Sequence, residues 1–366
     1  MSAILQFPFL AFIYILPKYR QVRDWSYRQA LTNRFVKSFL IAFVGLRVKP
    51  SLSLGPGLEG ERFVLIEPAN PDVYTGIVAD QQIHPETIGG TWYPTPFSPE
   101  AVFEADKHVV LHFHGGSYIL GDGRTATCRY LAKEFLKHTP TSYIFCPQYR
   151  LACNHNGRFP AQLQDAASSY CYLIHGLRIP ASKIVLSGDS CGGHLVLSLL
   201  RYIRQLDNAS LLPAPKCNWV FSPWCDVPAA TDRSLWENSP HYETEFIPSS
   251  FPAYGAKQYL KGLEITQPIE QYVAPIRHPF VVPSPVLIIT GGREVLFEEH
   301  ERLAREFQRL RENESRIGFF WEERIPHDVL MVGWIMDFRD EGRRCACEAG
   351  KFVNSDVVRA GVESRS

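Results

Sequence analysis

The stretch IVLSGDSCGGH, residues 184–194, determines how the rest of the sequence is interpreted. An apolar run leads into it, a helix-like run (LVLSLLRYI) follows it, and Gly188, Ser190 and Gly192 match the pattern G-x-S-x-G. Such a serine at a strand-to-helix turn is typical of a nucleophile elbow, whose strained backbone requires small neighbours. The N-terminus of the following helix favours developing negative charge. Ser190 and Cys191 can both be nucleophiles, so the remaining sequence has to distinguish them.

The chain from about residue 61 onward alternates short apolar runs with helical patterns. The predicted strands lie at 63–66, 108–113, 142–146, 183–187, 218–221, 286–290 and 317–321. The predicted helices lie at 125–137, 162–177, 191–204, 298–311 and 328–338. Alternation of this kind predicts an α/β fold with a mostly parallel central sheet and helices on both faces.

Two segments depart from this alternation. Residues 24–48 have apolar positions three and four apart and predict an amphipathic helix. Residues 224–285 form an aromatic, proline-rich insertion that we expect to cover one end of the sheet. The expected organisation is therefore a helical lid at 1–60, a catalytic domain at 61–350 with a lid insertion at 224–285, and a C-terminal tail at 351–366.

Composition excludes several classes of protein. The 366 residues are 45% hydrophobic and 21% charged, with 38 basic and 38 acidic side chains. This balance is that of a globular protein without the basic excess of a nucleic-acid partner. The nine cysteines have no zinc-site spacing and indicate reduced thiols in an intracellular protein. We expect no metal, no cofactor and a cytoplasmic location.

The apolar segment 3–16 leaves one alternative open. It has only 14 residues, includes Pro8, and is short for a bilayer span, which needs about 20 residues. It is either a lid or packing helix, or a peripheral membrane segment that would associate the protein with the endoplasmic-reticulum membrane. Lys18, Arg20 and Arg23 follow it and would keep the rest of the chain cytosolic.

A serine nucleophile needs a base and an orienting acid. His327 lies in the loop between the last predicted strand and the last predicted helix, and is the best candidate among twelve histidines. Glu294 follows the strand at 286–290 after a Gly-Gly turn and is the candidate acid. The chain order serine, acid, histidine agrees with a nucleophile elbow.

The reaction also needs donors for an oxyanion. The segment 109–118 runs from a strand into the turn His114-Gly115-Gly116-Ser117. The backbone N–H groups of Gly115, Gly116 and Ser117, together with that of Cys191, are the predicted oxyanion hole. Cys191 thereby becomes a donor rather than the nucleophile, and Asp189 is expected to brace the elbow.

These motifs carry a resemblance to a known family. The chain resembles the hormone-sensitive-lipase-like (HGGG) esterases of the α/β-hydrolase fold over about residues 61–345. The motifs that match are His114-Gly115-Gly116-Ser117, Gly188-Asp189-Ser190-Cys191-Gly192-Gly193, Tyr149-Arg150-Leu151-Ala152, and Phe159-Pro160-Ala161 with Asp165. The resemblance implies cofactor-free hydrolysis of carboxylic esters by a Ser–Asp/Glu–His triad under a lid made by N-terminal helices and an insertion after strand 6. Trp25-Ser26-Tyr27 is similar to a fungal branch whose members often modify secondary metabolites or sterol esters.

The sequence departs from the family pattern at three places. Ser117 replaces the last glycine of HGGG, and its Cβ is expected to reshape the acyl side of the pocket. Glu294 stands where aspartate is usual, so a longer side chain must reach His327. The run YRLACNHNGR, residues 149–158, differs from the usual YRLAPE and changes the packing of that loop.

We therefore expect a serine carboxylesterase that acts on a small apolar ester, such as an acetylated secondary metabolite or sterol ester. The aromatic lid supports an apolar substrate; its expected members are Phe7, Phe9, Phe12, Tyr14, Trp236, Tyr242, Phe246, Phe251 and Tyr254. The alternatives are an amidase or formamidase with the same triad, and a non-catalytic small-molecule receptor on a hydrolase fold. The sequence does not specify the oligomeric state.

Overall fold

A computed structural model of the chain describes residues 3–102 and 106–363. Its centre is an eight-stranded sheet in the spatial order β1-β2-β4-β3-β5-β6-β7-β8. The strands are β1 (Phe63–Ile66), β2 (Ile88–Tyr93), β3 (His108–Phe113), β4 (Thr141–Gln148), β5 (Ile184–Asp189), β6 (Cys217–Phe221), β7 (Val286–Gly291) and β8 (Ile317–Glu322). Strand β2 is antiparallel to both neighbours, and the pairs from β4 to β8 are parallel.

Helices pack around the sheet and across the carboxyl ends of its strands. In the described part of the chain they are α1 (Ala3–Ile13), α2 (Tyr27–Gly45), α3 (Pro99–Val102), α4 (Thr125–His138), α5 (Ala161–Cys171), α6 (Cys191–Leu206), α7 (Arg233–Glu237), α8 (Ser250–Tyr259), α9 (Gln267–Val273), α10 (Phe297–Gln308), α11 (Val329–Met336), α12 (Arg339–Val353) and α13 (Asp356–Glu363). None of these helices has both the length and the apolar character that a membrane span requires.

The central strands are buried along their whole length, as their apolar sequences predict. Every residue of β3, β5, β6 and β7 is buried. Strands covered on both faces are expected in a parallel sheet whose crossover helices lie on both sides. The predicted α/β-hydrolase architecture, a mostly parallel sheet flanked by helices, is confirmed.

Strand β2 was absent from the sequence-based prediction because its sequence, IGGTWY, contains two adjacent glycines. Aromatic rings of the neighbouring strands occupy the space where their side chains would be. A Cβ at Gly89 would lie 2.2 Å from the Phe63 ring, and one at Gly90 would lie 2.3 Å from the Phe145 ring. Glycine in a strand often marks such a close approach.

The C-terminal region is helical on both sides of the expected boundary at residue 350. Helix α12 runs across residue 350, where a tail was expected to begin, and Ala349 and Val353 on either side of that point are buried. Helix α13 follows it as far as Glu363. Residues 364–366 of the expected tail lie outside the described residues.

The N-terminal segment is tied to the insertion and to the loop after β8. The Asn33 side chain donates to the Thr244 carbonyl at 2.8 Å, and Lys37 Nζ donates to the Tyr242 carbonyl at the same distance. Trp25 Nε1 donates to the Arg324 carbonyl at 2.8 Å. Helix α2 therefore lies over the carboxyl ends of the strands, where the candidate catalytic residues converge.

Candidate active site

Ser190 occupies a strained turn between β5 and α6. Its φ of 53° and ψ of −118° are rare for a residue with a side chain. The turn exists because its neighbours lack side chains: a Cβ at Gly188 would lie 2.3 Å from the Gly192 backbone, and a Cβ at Gly192 would lie 1.9 Å from the Phe113 carbonyl oxygen. The local geometry is that of a nucleophile elbow.

The neighbouring thiol is directed into the protein. Cys191 Sγ is fully buried and accepts a hydrogen bond from the Tyr118 backbone N–H at 3.2 Å. Burial raises the pKa of Cys191 to about 12. A nucleophilic cysteine needs to be a thiolate. Cys191 remains a neutral thiol, whereas Ser190 lines the large cavity beneath α2.

Glu294 and His327 are joined directly. Glu294 lies on the turn after β7, and its Oε2 accepts a hydrogen bond from His327 Nδ1 at 2.6 Å. Its Oε1 accepts from the Gly291 N–H and Thr290 Oγ1, both at 2.6 Å, and from Ser222 Oγ at 2.9 Å. The longer glutamate side chain thus reaches the imidazole.

The charges of these two groups support each other. Burial alone would raise the pKa of Glu294, but the nearby His300 and His327 rings and their hydrogen bonds lower it well below its usual value. Burial alone would lower the pKa of His327, but Glu294, Glu245 and Asp328 raise it to about 9. His327 lines the same cavity as Ser190, and its Nε2 has no hydrogen-bond partner among the described residues.

Glu245, which no sequence motif indicates, is placed beside this pair by the insertion. Its carboxylate accepts the backbone N–H groups of Ile247 and Val295. Burial and the charge of Glu294 raise the pKa of Glu245 to about 7, although His327 acts in the opposite direction. Its position in the segment HYETEF gives no spacing signal, so only the folded chain reveals it.

Glu245, Glu294 and His327 also form the one group in the described residues whose side-chain ligand atoms could surround a metal ion. Their ligand atoms lie within 4.8 Å of one another. In the observed arrangement, His327 Nδ1 donates a hydrogen bond to Glu294. The arrangement supports orientation of the imidazole, as in an acid–histidine pair.

A second carboxyl pair, Asp189 and Asp328, lies near His327. Burial together with the adjacent Asp189 carboxyl raises the pKa of Asp328 well above its usual value. His112 Nε2 lies 2.8 Å from Asp189 Oδ1. One of two contacting carboxyl groups has to hold a proton. Asp189 therefore braces the elbow through His112 and Asp328.

The turn after β3 approaches the elbow through backbone atoms with positive φ. Gly116, Ser117 and Tyr118 have φ values of 113°, 50° and 62°. The N–H groups of Gly116 and Ser117 donate to no backbone carbonyl in the described ranges. Gly115 lies against the elbow, because a Cβ at this position would be 2.2 Å from Asp189 Oδ2 and 3.2 Å from Ser190 Cβ, and it lines the cavity that contains Ser190. Its role as an oxyanion donor stays a prediction.

The side chain of Ser117 is buried against Gly255 of α8, and its effect on the acyl side of the pocket stays a prediction. The loop that departs from YRLAPE is nevertheless anchored, because Arg150 donates to Asp165 at 2.7 Å. His114 stacks on the Tyr149 ring with centroids 4.2 Å apart, which joins this loop to the glycine turn.

The cavity that contains Ser190 and His327 has a volume of about 470 Å³. Apolar side chains from α2, the insertion and α11 line it: Phe35, Val36, Phe39, Leu40, Phe246, Ile247, Phe251, Met331, Val332, Trp334 and Ile335. Of the aromatic residues predicted to form the lid, Phe246 and Phe251 line the cavity, whereas Phe9 and Phe12 line a separate surface groove. Phe35 and Phe39, four residues apart on α2, were overlooked although their spacing places them on one helix face.

Comparison with known proteins agrees with this geometry. A family model described as "alpha/beta hydrolase fold" matches residues 110–331, more than half of the chain. An acetyl-hydrolase of Streptomyces hygroscopicus is 26% identical over 254 residues, which cover 68% of this chain and 76% of that protein. A steryl acetyl hydrolase of Saccharomyces cerevisiae is 24% identical over 153 residues, 41% of this chain, and the match spans only 34% of its length.

Solved structures share the fold. The crystal structure of an esterase from the bacterial hormone-sensitive lipase family superimposes with a TM-score of 0.57 and 19% identity, covering 94% of this chain and 97% of that one. At this identity the likeness establishes the architecture only.

Proposed function

The chain belongs to the alpha/beta-hydrolase-fold family, and on that premise we propose that it is a serine carboxylic-ester hydrolase with Ser190, His327 and Glu294 as its triad. The observation that carries this proposal is the convergence of a strained serine and a glutamate-bound histidine in one cavity. The named relatives, an acetyl-hydrolase and a steryl acetyl hydrolase, support esters as the substrate class.

The mechanism follows from the atoms described. His327 Nε2 takes the proton of Ser190 Oγ as the oxygen attacks the ester carbonyl, and later gives that proton to the leaving alcohol. Glu294 fixes the imidazole through Nδ1 and stabilises the imidazolium. Water activated by His327 then releases the acyl group. The backbone N–H groups of Gly115, Gly116, Ser117 and Cys191 are proposed to stabilise the oxyanion.

The cavity supports a small apolar ester as the substrate. Its apolar lining from α2 and the insertion favours an apolar alcohol or acyl group over a charged one. Acetyl esters, including acetylated secondary metabolites or sterols, are the substrates we propose first. Membership of a fungal branch, the expected division at residues 60 and 350, and the cytoplasmic location stay predictions.

The experiment is a chain-length series of p-nitrophenyl esters on the wild type, Ser190→Ala and His327→Ala. Both variants should lose activity by about 10⁴-fold or more, because triad members act as a unit. Cys191→Ala is the matched control and should retain turnover, since its thiol is buried. Turnover in Ser190→Ala that depends on Cys191 would reverse the assignment of the nucleophile.

The alternative functions need their own measurements. Turnover of anilides or formamides in a parallel series would support the amidase alternative. Tight binding of a small molecule without turnover would identify a receptor.

A further inference from the structure

The N-terminal segment has an unusual amount of exposed apolar surface. Eleven large hydrophobic side chains in the described residues are at least half exposed, and eight of them lie between residues 9 and 46. These eight are Phe9, Phe12, Ile15, Leu16, Tyr19, Phe35, Phe39 and Leu46. Five of them, from Phe9 to Tyr19, line one surface groove. Apolar residues concentrated in this way mark an interaction surface.

The same segment is strongly basic. Residues 1–58 contain eight Lys or Arg and one Asp, a net charge of +7, although the whole chain has no net charge. Residues 59–366 therefore carry −7. Five of the basic side chains are exposed: Lys18, Arg23, Arg28, Arg47 and Lys49. The molecule is thus polarised, with its cations beside its exposed apolar side chains.

This surface continues into the mouth of the catalytic cavity. Helix α1 packs on α2, where the rings of Phe7 and Phe35 lie with centroids 5.9 Å apart. Phe35 and Phe39 are about half exposed and also line the cavity that holds Ser190. Trp334 of α11 lines the same cavity and is 43% exposed. An apolar molecule in contact with α1 and α2 can therefore reach the catalytic serine along apolar side chains.

We propose that this face, defined by the exposed apolar and basic side chains of residues 9–49, docks on an anionic lipid bilayer and that the ester substrate enters the cavity from the bilayer. Aromatic and aliphatic side chains insert at the headgroup boundary, and the cations bind anionic headgroups. The symmetric face-to-face contact of a dimer fits poorly here, because it would bring a net charge of +7 against the same charge. The docking deepens the proposed ester hydrolysis, since it identifies where that substrate comes from.

The test is flotation of the full chain with vesicles of phosphatidylcholine alone or with 30% phosphatidylserine. The wild type should float with the anionic vesicles, and its binding should fall at high salt because the attraction is screened. Phe9→Glu/Phe12→Glu should reduce binding at least tenfold. Leu65→Glu, which places the same charge on an exposed apolar residue of the edge strand β1, is the matched control and should bind as the wild type does.

The cationic part of the surface has its own variant. Lys18→Glu/Arg23→Glu should weaken binding to the anionic vesicles by more than tenfold, since each cation near such a surface contributes about fivefold. Turnover of soluble p-nitrophenyl acetate should be unchanged in these variants, which shows that each one is folded. Turnover of cholesteryl acetate carried in anionic vesicles should fall with binding.

The outcomes separate the two proposals. Ester turnover by a wild type that does not float with either vesicle would overturn the docking and leave the hydrolase in place. Flotation without turnover of any ester would overturn the hydrolase and the entry of its substrate from the bilayer, and would leave the docking in place. If Phe9→Glu/Phe12→Glu floats normally, or instead converts a wild-type dimer to a monomer without affecting flotation, the apolar face has another occupant and the docking is wrong.

Discussion

Two carboxyl groups flank His327 in the folded protein, and their surroundings differ in the number of donors that they receive. Glu294 accepts hydrogen bonds from Thr290, Gly291, Ser222 and His327. The oxygens of Asp328 receive no hydrogen bond from a donor within the described ranges, and the Asp189 carboxyl lies beside them. Both side chains are buried. Burial therefore does not set the charge of a carboxyl group in this site; the hydrogen-bond donors around the carboxyl group do.

Substitution of the charged carboxyl group, Glu294, should have the greatest effect on activity. Glu294→Gln removes the charge that stabilises the His327 imidazolium and disturbs the ring's orientation. We expect kcat/KM for p-nitrophenyl acetate to fall by about 10³-fold or more, in line with removal of a triad acid. The exposed Glu298→Gln, four residues further along the chain, is the control and should change little. Near-normal activity of Glu294→Gln would assign the orienting role to another acid, with Glu245 the first candidate.

Glu245 provides the next test, because it lies near His327 but does not hold its Nδ1. Its charge raises the pKa of His327, so Glu245→Gln should lower that pKa from about 9. Neutral His327 is the base, and the rising limb of kcat/KM against pH should therefore move to lower pH. For each unit by which the pKa of His327 falls, the fraction of neutral imidazole at a pH below that pKa rises about tenfold.

Glu243→Gln changes the same charge two residues earlier in the insertion, on an exposed side chain, and should leave the limb in place. If the rising limb of kcat/KM moves to higher pH in Glu245→Gln, the main role of Glu245 is to accept the backbone N–H groups of Ile247 and Val295.

The difference between these carboxyl groups also shows what the sequence could predict. Ser190, His327 and Glu294 follow strands whose apolar runs are readable, and the carboxyl ends of parallel strands meet at one edge of the sheet. Glu245 and Phe35 reach the site from the lid, where no strand fixes their position. The contact between Asp189 and Asp328 joins residues 139 positions apart and depends on side-chain packing that no local pattern encodes. Strand β2 was not predicted for a similar reason, because its two glycines are required by aromatic rings on neighbouring strands.

The neutral carboxyl group, Asp328, should make the stability of the folded protein depend on pH. Asp328 has a raised pKa in the folded protein, so the folded state binds more protons than the unfolded state above about pH 4. The resulting stability is complete below that pH and is lost as the pH rises toward the folded pKa. Asp328→Asn supplies an N–H to Asp189 at every pH. Its melting temperature relative to wild type should therefore rise with pH, by about 2–4 °C between pH 5 and 9.

Thermal unfolding across this pH range measures the effect, with the exposed Asp72→Asn as the control. A difference between Asp328→Asn and wild type that is constant from pH 5 to 9 would show that Asp328 ionises normally, and the contrast with Glu294 would fail.

We expect a small effect from Ser222, which hydrogen-bonds both to the charged Glu294 and to the backbone of the neutral Asp328. Its Oγ donates to Glu294 Oε1 at 2.9 Å and accepts the Asp328 backbone N–H at 3.2 Å. Ser222→Ala leaves Glu294 with its other donors, so kcat/KM should fall only about threefold to tenfold, the effect of one net hydrogen bond. Because Asp328→Asn keeps the backbone N–H, the two substitutions should be additive in the free energy of activation to within about 0.5 kcal/mol. A larger coupling in the double variant would mean that the charged and the neutral carboxyl groups form one network through Ser222, and that their protonation states are set together.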